Sequence, residues 1–103
     1  MKIKIQSLHF KANEQLEEFV QNKVSKLSHF NDRIVSGEVC LKLDKSKELD
    51  NKVCEIRLAI PGNDLFAKKQ CTTFEEATNE VIDALQKQLR RKKTQLQNKR
   101  HSK

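Results

Sequence analysis

One stretch decides the fold: residues 52–71 read KVCEIRLAIPGNDLFAKKQC. From Lys52 to Ile60 apolar and polar side chains alternate, which predicts a strand with one buried face. We expect the inward positions to be Cys54, Ile56, Leu58 and Ile60, and the outward positions to be Val53, Glu55, Arg57 and Ala59. Pro61 and Gly62 follow in the central positions that a type II turn favours, and Leu65 to Cys71 returns as another strand. The stretch therefore predicts a β-hairpin.

Two further strands and a helix precede the hairpin. Ile34 to Asp44 alternates in the same way, and Ile3 and Ile5 predict a half-buried strand near the N-terminus. Between these strands, Asn13 is the kind of residue that caps a helix, and apolar residues recur behind it at helical spacing. These apolar residues are Leu16, Phe19, Val20, Val24 and Leu27. We therefore expect a helix over residues 13–28.

A second helix follows the hairpin. Thr73 and Glu76 form the pattern of a capping box, in which each side chain accepts a hydrogen bond from the backbone N–H of the other residue. The stripe that we expect to face the core consists of Phe74, Ala77, Val81, Leu85, Gln88 and Leu89. The helix begins acidic on its outer face and ends basic.

The predicted fold class is α+β, with the element order β-α-β-β-β-α. A strand, a crossover helix and a second strand should pair in parallel, and the remaining strands should continue the sheet as a meander. Each helix has one apolar stripe, so both should cover one face of a four-stranded mixed sheet in a two-layer domain. Beyond Leu89 the only apolar residue is Leu96. We therefore expect one domain over residues 1–95 and a basic, frayed tail over residues 96–103.

Positive charge is concentrated at the C-terminal end. Residues 1–85 carry 13 Lys and Arg and all 14 acidic residues, whereas residues 86–103 carry eight basic residues and no acid. The negative end of a helix stabilises cations only within its last turn, which accounts for a few of the eight. The run therefore favours a nucleic acid as the partner, with an acidic protein or a membrane surface as alternatives. Lys and Arg on phosphates would position RNA without reading its bases.

The sequence has no pattern typical of a catalytic, cofactor-binding or metal-binding site. Its three histidines are far apart, its three cysteines (Cys40, Cys54 and Cys71) form no C-x-x-C pair, and its two glycines form no phosphate-binding loop. We therefore expect no enzyme, no metal, no cofactor and no small-molecule substrate. Free thiols, a mean hydropathy of −0.77 and the absence of a signal-peptide pattern predict a cytoplasmic protein that does not contact a membrane.

Two kinds of residue allow two interpretations. The five phenylalanines are interpreted as core residues, with surface exposure as the alternative for Phe30 and Phe66. Lys23 falls inside the apolar stripe of the first helix. Either its stem is buried while its ammonium reaches water, or it is a cation held between the helices and aligned with the basic helix end. Lys26 lies near the edge of the same stripe.

Segments of both helices resemble a known family. The first is LEEFV at residues 16–20, followed by Lys23, by residues 26–27, by Phe30 and by residues 32–34. The second is residues 81–83, Leu85 and residues 87–89, followed by the basic run. In this order and with this topology, they are similar to the ribosome hibernation promoting factor family. That family includes the ribosome-associated inhibitor protein Y, and its members are also called sigma-54 modulation proteins. The resemblance covers roughly residues 2–95.

The resemblance implies a fold like that of double-stranded RNA-binding domains and a role in stationary phase. It implies binding to the small ribosomal subunit and its ribosomal RNA, in the channel for mRNA and the anticodon ends of tRNA. Occupying that channel inhibits translation and protects idle ribosomes under stress. The positions that it marks as RNA-binding are Lys23, Lys26, Arg33, Lys87, Arg91 and Lys93, and the same basic run adds Arg90 and Lys92.

The second helix departs from the family pattern at three positions. Thr73 stands where an Asp is usual, Glu75 where an aromatic residue is usual, and Ala84 where a Lys is common, which removes one phosphate contact of the pattern. The length resembles the short form of the family, and the basic end at residues 99–103 favours members that promote ribosome dimers together with a second factor. Two alternatives stay open: a general double-stranded RNA-binding domain, and a sigma-54 modulation protein or other protein-interaction module.

Overall fold

The secondary-structure elements occur in the predicted order. The computed structural model describes the backbone of residues 1–101 and the side chains of residues 1–91. Its elements are β1 (Lys2–Leu8), α1 (Glu14–Ser25), a short 3₁₀ helix (Lys26–His29), β2 (Ser36–Leu43), β3 (Lys52–Ala59), β4 (Leu65–Cys71) and α2 (Phe74–His101). The prediction of an α+β domain is confirmed.

The four strands form one mixed sheet in the order β1-β2-β3-β4. β1 and β2 are parallel, and the other two pairs are antiparallel. The register aligns Ile5, Val39, Ile56 and Ala67 in one row across all four strands. This row lies on the face that packs against the helices. The apolar side chains on this face of the four strands therefore pack in the same core.

The turn between β3 and β4 has the predicted geometry. The Asn63 N–H donates to the Ile60 carbonyl at 3.1 Å, and Gly62 has a φ of +91°. A type II turn needs positive φ at its third residue, and glycine adopts it without a steric penalty.

Both helices pack on the same face of the sheet, as predicted. Val20, Val24 and Leu27 are completely buried in the core that they share with Val81 and Leu85 of α2. In β2, a Cβ atom at residue 37 would lie only 3.1 Å from Cγ1 of Val24. A glycine at this position lets α1 approach the sheet closely.

The opposite face of the sheet is not covered by a helix, yet Val53 on it is only 4% exposed. It does not belong to the main core cluster. In the strand register it lies opposite Lys42 and Gln70, and it lines a pocket with them and Lys68. Its outward direction was predicted correctly, but its burial was not.

The helix caps agree with the prediction except for one hydrogen bond. The Asn13 side chain accepts from the Leu16 N–H at 2.8 Å, and the Thr73 hydroxyl accepts from the Glu76 N–H at 3.1 Å. The Glu76 carboxylate, however, accepts from the Thr72 hydroxyl at 3.0 Å. The prediction that Glu76 caps the Thr73 N–H is therefore wrong, because a neighbouring hydroxyl donates to the carboxylate instead.

The first α-helix ends at Ser25, three residues before its predicted end, and continues as a 3₁₀ helix to His29. The Ser25 and Ser28 hydroxyls donate to the carbonyls of residues 22 and 25, at 2.9 and 2.7 Å. Such local side-chain bonds compete with the backbone hydrogen bonds of an α-helix. The Phe30 N–H then closes the last turn on the Leu27 carbonyl at 3.0 Å.

The second helix continues to His101. Residues 102 and 103, and all side chains beyond Arg91, lie outside the described part of the chain, so a frayed tail at residues 96–103 stays a prediction. Within the described residues, no helix combines the length and the hydropathy that crossing a membrane requires.

The core predicts a large stability difference between two leucine substitutions. Leu85 of α2 is fully buried in the core, whereas Leu49 in the β2–β3 loop is 77% exposed. We expect Leu85→Ala to lower the free energy of unfolding by about 2–5 kcal/mol, because it leaves a cavity in the core. Leu49→Ala should change it by less than about 0.5 kcal/mol. Urea unfolding followed by circular dichroism measures both, and equal effects would contradict the placement of α2.

Candidate nucleic-acid interface

Two predicted RNA-binding residues lie at the C-terminal end of the first helix. Lys23 is half-buried, and its ammonium lies 5.5 Å from the centroid of the Phe19 ring. This distance is within the range of a cation–π contact. Lys26 follows in the 3₁₀ helix and is exposed. The Lys23 stem is thus partly covered by the protein while its charge lies over an aromatic ring at the rim.

A local turn presents the third cation. The Asn31 side chain accepts from the Arg33 N–H at 2.8 Å, which is the hydrogen bond of an Asx-turn. Arg33 is exposed, while the next residue, Ile34, is buried and anchors the segment in the core. The guanidinium therefore extends from a short connection that is fixed at both sides.

The described cations of α2 lie on two sides of that helix. Arg90 lines a small cavity with His29 and Phe30 at the end of the 3₁₀ helix. Lys87 and Arg91 line a different groove, of about 430 Å³, between α2 and β4, which Lys69 also lines. Of these three cations, only Arg90 faces the α1 side of α2.

The groove beside β4 carries both signs of charge. Glu80 and Asp83 line it together with the cations, and Lys87 Nζ lies 3.2 Å from the Asp83 carboxylate. Both partners of this pair are 63% exposed, so the pair holds the two side chains together only weakly. Arg91 has no acidic neighbour within 4 Å among the described side chains.

The basic helix extends well past the core. Leu89 is the last buried residue among the described side chains, and the helical backbone continues for twelve residues to His101. At 1.5 Å per residue this is about 18 Å of helix beyond Leu89. The predicted residues Lys92 and Lys93 lie on this part of the helix, and their side chains are outside the described residues.

Two phenylalanines that were interpreted as core residues are exposed. Phe30 is 44% exposed and Phe66 is 48% exposed. Phe66 lies between the buried residues Leu65 and Ala67 of β4, so alternation turns it to the face that no helix covers. Phe30 follows the last turn of the 3₁₀ helix, at the rim of the core. Phe10 and Phe74 do pack against the core, with their rings stacked at 4.4 Å.

The cysteines are free, as predicted. One of them, Cys71, is close to two acids: its Sγ and the carboxylates of Glu76 and Glu80 all lie within 4.8 Å of one another. Burial, together with a hydrogen bond from the thiol to Glu80 at 2.7 Å, raises the pKa of Cys71 to about 12. A metal ion would require the thiolate. In this arrangement the Cys71 thiol is a hydrogen-bond donor to Glu80.

A known protein family matches nearly the whole chain. Residues 3–97 match the family described as "Sigma 54 modulation protein / S30EA ribosomal protein". The chain belongs to this family. The match includes α1, α2 as far as residue 97 and all eight residues that were predicted to bind RNA.

Two curated relatives of this family member carry related names. A "Ribosome hibernation promoting factor" of Pseudomonas putida is 31% identical over 98 residues, covering 94% of this chain and 91% of the relative. A "Ribosome hibernation promotion factor" of Deinococcus radiodurans is 30% identical over 91 residues, covering 86% of this chain. The chain spans only about half, 47%, of that second relative. Both relatives are named as hibernation factors rather than as enzymes.

Two solved structures have the same fold as this family member. A ribosomal subunit interface protein from Coxiella burnetii superimposes with a TM-score of 0.80 at 18% identity, covering 91% of this chain and 99% of that one. The N-terminal domain of Thermus thermophilus Protein Y gives 0.76 at 22% identity, covering 88% and 98%. The predicted mixed sheet with two helices is therefore the fold of ribosomal subunit interface proteins.

The Asp83–Lys87 pair predicts a charge effect that depends on position. We expect Asp83→Asn to strengthen binding to the polyanion heparin by up to about fivefold, because it releases Lys87 from its partner. Glu38→Gln changes the net charge equally, but Glu38 is exposed on β2 and lines a groove on the other face of the sheet. Elution from a heparin column along a salt gradient measures both. Equal shifts for the two variants would show that only net charge matters.

Proposed function

We propose that this family member is a ribosome hibernation factor that binds the small ribosomal subunit in the cytoplasm. In the proposal, the domain occupies the channel for mRNA and the anticodon ends of tRNA, and so inhibits translation in idle ribosomes. The names of the relatives and the family membership support the ribosome as the partner. The channel and the contacts are argued from the charges of this chain.

One observation carries the RNA contact: the basic part of α2 projects beyond the core. After Asp83 the helix contains no acidic residue, and after Leu89 the backbone continues as helix to His101. A projecting helix with one sign of charge suits a partner that surrounds it with the opposite charge. The phosphates of folded RNA provide such surroundings, and they account for much of the affinity of RNA-binding proteins.

The two-sided arrangement of the cations favours a channel over a flat surface. Arg90 faces the α1 side of α2, whereas Lys87 and Arg91 face β4. Arg90 and Arg91 are rotated by about 100° from each other about the helix axis, so phosphates that surround the helix on both flanks would meet both side chains most directly. We propose that Lys23, Lys26 and Arg33 extend the α1 side of the contact, and that Lys92 and Lys93 continue it along the helix.

The salt dependence of binding tests how many phosphates are contacted. With about seven contacts, the logarithm of the affinity for small subunits should fall against the logarithm of the salt concentration with a slope of about −5 to −6. Sedimentation through sucrose gradients at several salt concentrations measures this slope. The peak profile of whole ribosomes also shows whether dimers accumulate, alone or with a second factor. Absence of co-sedimentation even at low salt would refute the proposed function.

A charge reversal tests which surface binds. We expect changing Arg90, Arg91, Lys92 and Lys93 together to Glu to abolish co-sedimentation, because repulsion replaces four phosphate contacts. The fold should survive, since Arg90 and Arg91 are exposed and the run lies past the last described core residue. A matched control changes four other exposed lysines, Lys2, Lys4, Lys45 and Lys47, to Glu. Equal loss of binding in both variants would contradict a contact centred on α2, and unfolding of the first variant would contradict its surface position.

Competition separates the two alternative functions. A general double-stranded RNA binder would be displaced from ribosomes by a long RNA duplex, whereas a factor that recognises the subunit channel would not. A sigma-54 modulation protein or other protein-interaction module would retain an acidic protein partner after nuclease treatment and would show little affinity for RNA.

A further inference from the structure

A small cavity at the end of the 3₁₀ helix combines an exposed aromatic ring with two basic side chains. His29, Phe30, Leu89 and Arg90 line a volume of about 200 Å³. Leu89 is 5% exposed and supplies an apolar wall, while Phe30 leaves 44% of its surface to solvent. His29 and Arg90 are both exposed at the same opening.

The size and chemistry of the cavity restrict what fits it. Pockets for drug-sized ligands measure about 300–1,000 Å³, so this cavity is too small for a whole cofactor. An aromatic face and an apolar wall accept a flat ring, and a guanidinium beside them accepts a phosphate. A single unpaired nucleotide has both parts. Base pairs inside a duplex are stacked on both faces, so the interior of an RNA duplex offers no free ring to this cavity.

The second exposed phenylalanine has a different environment. Phe66 lies opposite Arg57 in the register of β3 and β4, and it lines a groove with Glu38 and Glu55. The two acids would repel a phosphate beside that ring. Phe66 therefore matches Phe30 in residue type and exposure, but it lacks an environment that suits a nucleotide.

We propose that Phe30 stacks on one unpaired base of the small-subunit RNA while Arg90 contacts the adjoining phosphate. This inference rests on the proposed function and goes beyond it. Lysine and arginine contacts to phosphates hold the RNA but do not distinguish single strands from duplexes. A stacking pocket does distinguish them, because only an unpaired base offers its face. Phe30 thus directs the domain to a single-stranded position within the channel.

Affinity measurements on three variants test the role of the ring. Phe30→Leu keeps an apolar side chain and removes the aromatic face, so it should weaken binding to small subunits about 5- to 100-fold. The salt slope should stay unchanged, because no phosphate contact is lost. Phe30→Trp should bind at least as tightly as the unchanged protein, and Phe66→Leu should bind equally well. Circular dichroism and thermal melts confirm that each variant is folded.

Fluorescence reports the stacking directly. The sequence has no Trp and no Tyr, so Phe30→Trp and Phe66→Trp each create a single-tryptophan reporter. A single-stranded RNA of mixed sequence should quench the fluorescence of the first variant and not that of the second. An RNA duplex at the same nucleotide concentration should quench neither.

The outcomes separate this inference from the proposed function. If the unchanged protein binds small subunits and Phe30→Leu binds as well, the stacking contact is refuted while the proposed function stands. If the unchanged protein does not bind subunits, the proposed function fails and the subunit as the source of the base fails with it, and the fluorescence experiment decides whether Phe30 stacks on single-stranded RNA. Quenching of both tryptophan variants, or of neither, refutes it.

Discussion

The burial of one stripe of α2 against the sheet fixes the position of every described cation on that helix. Ala77, Val81 and Leu85 have no exposed surface, and Leu89 is nearly buried. Successive residues of an α-helix are rotated by about 100°, so the buried stripe determines which way each neighbour faces. Any rotation that brought all the cations to one side would expose part of this stripe to water. The division of charge between the two flanks of α2 is therefore a consequence of core packing.

Elements with a local cause could be predicted from the sequence. The alternation in residues 52–71, the turn at Pro61 and Gly62 and the cap at Asn13 depend only on neighbours in the chain, and all were confirmed. The errors arose where another group competes for the same atom or surface. Glu76 accepts from the Thr72 hydroxyl and not from its expected capping partner. Val53 lies opposite the long side chains Lys42 of β2 and Gln70 of β4.

The candidate site was only partly accessible to sequence reasoning. The basic run is visible because charge can be counted along a chain, and family membership is carried by residues in both helices. Arg90 lies on a different side of α2 from Lys87 and Arg91. Predicting this requires the orientation of α2 relative to its neighbours, which counting charges along the sequence does not provide. The exposure of Phe30 depends on where the core ends in space. Phe66 could have been placed outward, since it alternates with Leu65 and Ala67.

The projecting basic end of α2 has a thermodynamic consequence. Lys87 and Arg91 are four residues apart and Lys87 and Arg90 are three apart, which are the spacings at which like charges on a helix repel each other. Asp83 pairs with Lys87 and offsets the repulsion at that residue only, among the described side chains. A bound polyanion would neutralise the remaining charges and favour the helical form of this segment, so the binding of a polyanion and the stability of the helix would be thermodynamically linked. The free energy of helix formation past Leu89 would then contribute to the affinity for such a polyanion.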